Sequence, residues 1–473
     1  TDMLERAVAE GRAPTFGALL ERGALVPDCV SSFPSVTPVA CAEMVTGVGA
    51  DRHWISGMNW YHRLERRYVE YGSSLDATRS VGVFRALYDL VYNMNLAHLN
   101  PAAETIFERL DDAGVRTACT PFLIYRGRHQ HRVTLEGLAR RAVDTTKLHF
   151  RHHTWGPREL FYGDLYASRE VPCRSTSIPG NRDGYAACCA AELARADGYD
   201  FLLLSLPDND SYSHRHGPEA SVESIAKADG CFAELVEACG GLDDFLETHA
   251  VILVADHAQT SVRRGLPLAE LLAREWDVLR PSDDQPEAAQ LAVSPTGRAA
   301  HVYLLPGDGP RAVPEEVRTR LAELEGVDLV CHREDGYAVV ERKGRSLRFR
   351  PGEGPVDLRG TGWELAGDEA ALLASSTDGD FVSDEYPDAL MRVWTALASP
   401  GAGDFVLSLA DGYEAVDWGG VSHAGGGSHG SLHRGDSLGP LLLVGCGPND
   451  PRERPQWALR DVAAVVLDHF GIE

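Results

Sequence analysis

Apolar residues in this chain gather in short runs separated by helical patterns, and several runs end directly in ionisable residues. Ala250-Val251-Ile252-Leu253-Val254 is uninterrupted and partly β-branched, which predicts a strand buried on both faces of a parallel sheet. It runs straight into Asp256-His257. Ligands of open α/β sheets bind at the carboxyl ends of strands, so the pair stands where metal ligands would be useful. Taken alone, it fits a capped strand end with a chance His equally well.

A second run repeats the arrangement. From Gly184 to Leu206 the pattern predicts a helix and then the strand Phe201-Leu202-Leu203-Leu204, followed by Asp208-Asn209-Asp210-Ser211-Tyr212-Ser213-His214. Asp210 and His214 reach one ion if this segment makes a single helical turn. A helix from Ser221 follows, with Ile225, Ala228, Phe232, Leu235 and Cys239 on one face and Gly240-Gly241 as its stop. Strand, helix and the Ala250 strand together predict a right-handed parallel unit.

Elsewhere, helices are expected from Met3 to about Gly11, capped by Asp2, and from Thr15 to Gly23. Ala103 to Asp112 reads as a helix ended by Gly114, with a strand from Val115 to about Ile124. An apolar strand, Leu441-Leu442-Leu443-Val444, and an amphipathic helix from Trp457 to Phe470 close the chain. Between Leu266 and Asp404 the pattern changes to short strands, such as Val302 to Leu305 and Tyr337 to Val340, alternating with acidic and Gly/Pro-rich turns. The expectation is an α/β protein with a mostly parallel central sheet and helices on both faces. Residues 1–265 and 405–473 would form the catalytic domain, with the sheet resuming at Phe405-Val406-Leu407, and 266–404 an inserted α+β subdomain.

Three further stretches carry candidate chemistry. Pro38 suits the first helical position, which makes Thr37 the cap and places its hydroxyl at an anion site. An ordinary Thr N-cap is the commoner meaning of that pattern. The Gly425-Gly426-Gly427-Ser428-His429-Gly430 loop reads as a linker or phosphate cradle, and the His within it suggests close backbone approach around a ligand. Trp54 to Tyr71 is rich in aromatics and Arg, a substrate mouth or an irregular packed loop. Trp60, Tyr61 and Tyr212 are expected to be exposed, with Trp60 and Tyr212 shaping a pocket. His129, His131, His152 and His153 read as solvated surface.

Composition narrows the partners. The chain has 473 residues, is 44% hydrophobic and carries a net charge of −25, with Lys147, Lys227 and Lys343 its only lysines. That charge excludes a nucleic-acid polymer or an anionic membrane as partner, since both need a basic face. Bound cations could still draw in a small anion. No apolar run approaches the roughly 20 residues of a membrane span. Ten cysteines without a Cys-x-x-Cys pattern predict a reduced, cytoplasmic protein.

With metal-capable clusters after three apolar strands and a Thr at a helix start, the chain resembles the alkaline phosphatase superfamily. Within it the resemblance is to the type I phosphodiesterase/nucleotide pyrophosphatase branch, related to phosphonoacetate hydrolase. The motifs fall in family order: Thr37 before Thr46-Gly47, Asp210 and His214, Asp256-His257, then His429-Gly430. The resemblance implies two zinc ions, one held by Asp210, His214 and His429, the other by Asp256, His257 and the Thr37 oxygen. It makes Thr37 the nucleophile and Asn59 the partner of a phosphoryl oxygen.

Three departures stand out. The family's further zinc-binding Asp, in an Asp-Gly pair before the first helix, has no counterpart here, which suggests an N-terminal segment beyond Thr1. Pro38 replaces the aromatic that stacks on a nucleotide base, and Ala40-Cys41 replaces an Asn-His pair.

What the resemblance implies is cleavage of a phosphate diester or pyrophosphate through a phospho-threonine. The alternative is a phosphonate or phosphate-monoester hydrolase on the same scaffold, with Arg126 or Arg215 meeting the extra charge. A sulfatase lacks its Cys/Ser-x-Pro-x-Arg motif, and a manganese mutase would use Ser. A non-enzymatic metal-binding module is disfavoured by the retention of Thr37. The substrate would be a small phosphate or phosphonate ester.

Overall fold

The computed structural model describes residues 1–132, 153–163, 165–174, 182–283, 286–307, 309–377, 379–416, 418 and 422–472. His152 and Lys147 lie outside them. The Val222–Ala238 helix buries Ala228, Phe232, Leu235 and Val236, the face its apolar spacing predicts. Leu4, Phe16 and Leu19 of the two N-terminal helices complete that core. The Ile106–Asp112 helix starts three residues later than its composition suggests, because Thr105 and Glu108 form a capping box there.

The fold is α/β, with parallel and antiparallel pairs mixed; short parallel pairs also join Arg264–Leu266 to Tyr413–Ala415 and Val278–Leu279 to Leu291–Thr296. Thr117–Cys119 lies between Glu159–Leu160 and Phe201–Leu203, parallel to both. Leu438–Val444 lies between Ala24–Val30 and Val251–Val254, antiparallel to both. The expected parallel unit is therefore corrected: Phe201–Leu203 and Val251–Val254 are not hydrogen-bonded neighbours. Their side chains nevertheless alternate into the same two cores, Leu202 with Leu253 on one side and Leu203 with Ile252 on the other. The strands share a layer, and their facing edges line one cavity of about 2750 Å³. Ile252, Leu253 and Val254 are consequently only half-buried.

A second sheet of ten strands lies in the later part of the chain. Phe405–Leu409 belongs to it, antiparallel to Ala299–Leu304 on one side and Val327–Glu334 on the other, and does not resume the first sheet. All five of its residues are buried, so its apolar run suits a central strand of either sheet. Trp363, Phe349, Val340 and Leu329 fill one core of this sheet, and Val302, Val330, Leu407 and Leu321 another.

The aromatic stretch is also ordered. Asn59–His62 pairs with Arg67–Glu70 as a hairpin, and Trp60 and Tyr61 are buried, not exposed. Trp60 donates from Nε1 to the Tyr71 hydroxyl at 3.2 Å and packs edge-on to His98. Cys173 and Cys188 form a disulfide, which departs from the expected fully reduced chain. Among the described residues no helix is long and apolar enough to cross a membrane.

Two buried ionic contacts join the sheets beside the 425–437 segment. Arg298, at the turn between Leu291–Thr296 and Ala299–Leu304, reaches Asp436 at 2.7 Å, with neither side chain exposed. His433 bridges Glu385 at 2.6 Å and Asp328 at 3.1 Å, while Arg342 and the Tyr386 hydroxyl hold the same Asp328. Burial would lower the His433 pKa, but the Asp328 and Glu385 carboxylates, with Asp411 beyond them, outweigh it and raise the pKa above 6.5.

Asp436→Ala removes the buried partner of Arg298, leaving only the exposed Asp411 carboxylate at 3.1 Å, and is expected to cost about 3–5 kcal/mol in urea unfolding; a loss below about 1 kcal/mol would show that the pair is not needed. Because the folded-state His433 pKa is raised, its contribution is complete below pH 6.5 and is lost as pH rises through the folded pKa. The wild-type urea midpoint should therefore decline more steeply above that pH than the midpoint of His433→Asn, and parallel curves would contradict the assignment.

Candidate active site

The Thr37–Thr46 helix begins one residue earlier than its Pro suggests. Val36 is the N-cap, Thr37 the first helical residue and Pro38 the second. The Thr37 hydroxyl is thus released from capping and lies 3.2 Å from His257 Nε2. The helix start still points unpaired N–H groups toward the same space.

Asp208–His216 is helical, which stacks Asp210 and His214 one turn apart with Oδ1 and Nε2 3.4 Å from each other. His429 Nε2 approaches the same Asp210 oxygen at 3.5 Å. His257 lies with its ring stacked on His429 at 3.6 Å, and its Nε2 is 3.4 Å from Asp256 Oδ2. Ligand atoms of Asp210, His257 and His429 all fall within 4.8 Å of one another. The cluster joins residues that the resemblance divides between two ions.

Backbone carbonyls orient the imidazoles. Nδ1 of His214 donates to Gly427 O at 2.8 Å, that of His429 to Ser35 O at 2.8 Å and that of His257 to Ala258 O at 3.2 Å. In that tautomer each ring presents Nε2 to the cluster, the form that binds a metal. Burial lowers the His214 pKa and, with His257 adjacent, holds His429 well below its usual value, so both remain neutral near pH 7. Burial would raise the Asp210 pKa, but the surrounding imidazoles and Gln259 lower it to about 2. Neutral imidazoles around an ionised carboxylate form a donor set suited to zinc or another borderline transition metal.

The glycine run is explained by proximity. A Cβ on Gly426 would fall onto the His214 carbonyl oxygen, and one on Gly427 would lie 3.0 Å from Ser213 O. The loop must be bare to wrap the helix that bears Asp210.

The other anticipated residues divide. Asn59 lines the same cavity as Thr37, Asp256 and His257, and its Nδ2 donates to Pro295 O at 2.6 Å. Its Oδ1 is buried without a hydrogen-bond partner among the described residues. Trp60 is a core residue, and Tyr212 stacks on His216 at 4.2 Å; neither is among the cavity's lining residues. Arg126 is buried on Glu108 and the carbonyls of Leu99, Asn100 and Ala103, so it is committed to the fold. Arg215 is exposed at the cavity wall.

Sequence reasoning missed Gln259, which donates to Asp210 at 2.6 Å. It also missed His423, whose ring is 4.3 Å from that of His214 and whose Nδ1 contacts buried Glu414 at 2.9 Å. Proximity in the chain to His257 and His429 was the only available signal for either.

Comparison with known proteins shows the family and the fold. The family model for type I phosphodiesterase / nucleotide pyrophosphatase matches residues 1–432. Phosphonoacetate hydrolase from Sinorhizobium meliloti, in complex with phosphonoformate, superposes with a TM-score of 0.52 at 17% identity, covering 97% of this chain and 90% of that one. Murine ectonucleotide pyrophosphatase / phosphodiesterase 5 gives 0.55 at 12% identity, covering 98% and 90%, and its human counterpart 0.55 at 13%, with the same coverage. No curated protein sequence matches the chain. Six motif positions around one cavity and a family match over most of the length lead to one assignment: the chain belongs to the type I phosphodiesterase / nucleotide pyrophosphatase family and is a hydrolase of that class.

Proposed function

We propose that the protein hydrolyses a phosphate diester or pyrophosphate bond of a small substrate, with Thr37 as the nucleophile and two zinc ions as cofactors. The observation that carries this reading is the Thr37 hydroxyl at a helix start, 3.2 Å from His257 Nε2 and beside the Asp210-His257-His429 cluster. The donors fit: Asp210, His214 and His429 would hold one ion, and Asp256, His257 and the Thr37 oxygen the other. Zinc bound there supplies Lewis acidity, lowering the pKa of a coordinated hydroxyl and offsetting charge on the phosphoryl oxygens.

The chain's own groups do the rest. Thr37 Oγ1 forms a bond to phosphorus as the bond to the leaving oxygen breaks, and water then cleaves the threonine ester. The first turn of the Thr37 helix directs N–H dipoles at the developing charge. Asn59, oriented by the Pro295 carbonyl, retains a second amide hydrogen for a phosphoryl oxygen. A diester is favoured over a monoester or phosphonate because Arg126, one of the two arginines expected to meet the additional charge, is used within the fold.

Thr37→Ala is expected to lower hydrolysis of bis-p-nitrophenyl phosphate by about a thousandfold or more, while Thr37→Ser keeps a measurable fraction. A Thr37→Ala enzyme with the wild-type rate would remove Thr37 from the chemistry. Chelation should abolish turnover and added zinc restore it; activity that survives exhaustive chelation would contradict the metal assignment. Gly426→Ala, which forces a methyl onto the His214 carbonyl, should weaken zinc binding together with activity, and unchanged values for both would show that the loop is free to move away.

A further inference from the structure

Asp210 Oδ1 is the oxygen that His214 and His429 share, at 3.4 and 3.5 Å. Gln259 Nε2 donates to this same oxygen at 2.6 Å and to the Asp210 backbone carbonyl at 3.2 Å. Both contacts come from one amide nitrogen. The other end of the amide, Oε1, is buried with no hydrogen-bond partner among the described residues.

An orphaned buried acceptor is unfavourable, and each such case calls for a reason. Rotating the amide offers no relief, because it would set Oε1 against the Asp210 carboxylate and carbonyl. Asp210 therefore dictates which way the amide points. The site also confines it: a Cβ on Gly427 would lie 2.8 Å from Oε1, so the bare loop closes over the amide as well as over His214.

Gln259 sits on the turn that follows Asp256-His257, and its neighbour Thr260 pairs with Ser428 of the loop bearing His429. A single neutral side chain thus reaches from the segment carrying His257 to the helix carrying Asp210. It fixes the carboxylate without adding or removing charge. A Lys there would neutralise Asp210, and a Glu would repel it.

We infer that Gln259 is the positioning residue that sets Asp210 for metal capture and ties the two halves of the site together. The inference rests on the metal reading of Asp210 given above. Its energetic signature is a trade: the metal-free fold carries an unsatisfied amide oxygen, and the metal site gains a fixed carboxylate.

The test compares wild type with Gln259→Leu, which removes the amide at similar volume, and Gln259→Ala as a second variant. Zinc affinity is read by competition with a chromophoric chelator, ligand geometry by the visible spectrum of the cobalt-loaded proteins, and metal-free stability by urea unfolding. Both variants should bind zinc about 10- to 100-fold more weakly, with an altered cobalt spectrum, while the metal-free urea midpoint of Gln259→Leu is unchanged or higher. Wild-type zinc affinity and cobalt spectrum in both variants would overturn the inference, as would a lower metal-free midpoint with affinity unchanged. Failure of wild type itself to bind zinc would overturn the metal reading first, and is distinguishable because no variant is needed to see it.

Discussion

The buried contact between Arg298 and Asp436 holds the site's separate segments to one another. Arg298 comes from the second sheet, Asp436 from the segment that carries His429, and both side chains are fully enclosed. Asp436 also accepts from the Thr260 hydroxyl at 2.7 Å and from the Ser431 amide at 2.9 Å, and its carbonyl takes the Ala258 amide at 2.9 Å. The Arg298 amide donates to His429 O at 2.6 Å. Charge enclosed this deeply is tolerated only when fully paired, so the pairing fixes where these loops lie. The histidines then have little freedom left.

From that frame the chemistry follows by close approach. Carbonyls of Ser35, Ala258 and Gly427 take the Nδ1 hydrogens of His429, His257 and His214, which settles the tautomer and leaves Nε2 facing the Asp210 cluster. Glycines at 426 and 427 permit the loop to touch the helix that bears two of the prospective ligands. The second sheet contributes directly, through Pro295 on Asn59 and Arg298 on His429, so it shapes the site and does not simply decorate the fold.

The site was more legible in the sequence than the sheet was. Asp210 and His214 announce themselves by a one-turn spacing, and Asp256-His257 by their place after an apolar run; local geometry decides both. Strand neighbours are decided by distant residues, which explains why Phe405–Leu409 was expected to resume the first sheet and why Phe201–Leu203 and Val251–Val254 were expected to form one parallel unit. Trp60 looked exposed among polar neighbours, yet a hairpin turns it inward to Tyr71 and His98. The Cys173–Cys188 pairing, the burial of Arg126 and the reach of Gln259 depend on which segments fold together, information that no local spacing contains.

With Thr37 as the proposed nucleophile, its oxygen becomes covalently attached to the substrate's phosphoryl group. The most direct test of this attachment is acid quenching of the zinc-loaded enzyme during turnover of a pyrophosphate or diester substrate, followed by proteolysis and mass spectrometry. The expected result is a phosphoryl adduct on the peptide containing Thr37, with fragment ions placing it on that residue. Turnover with no adduct at any quench time, or an adduct on another residue, would contradict it.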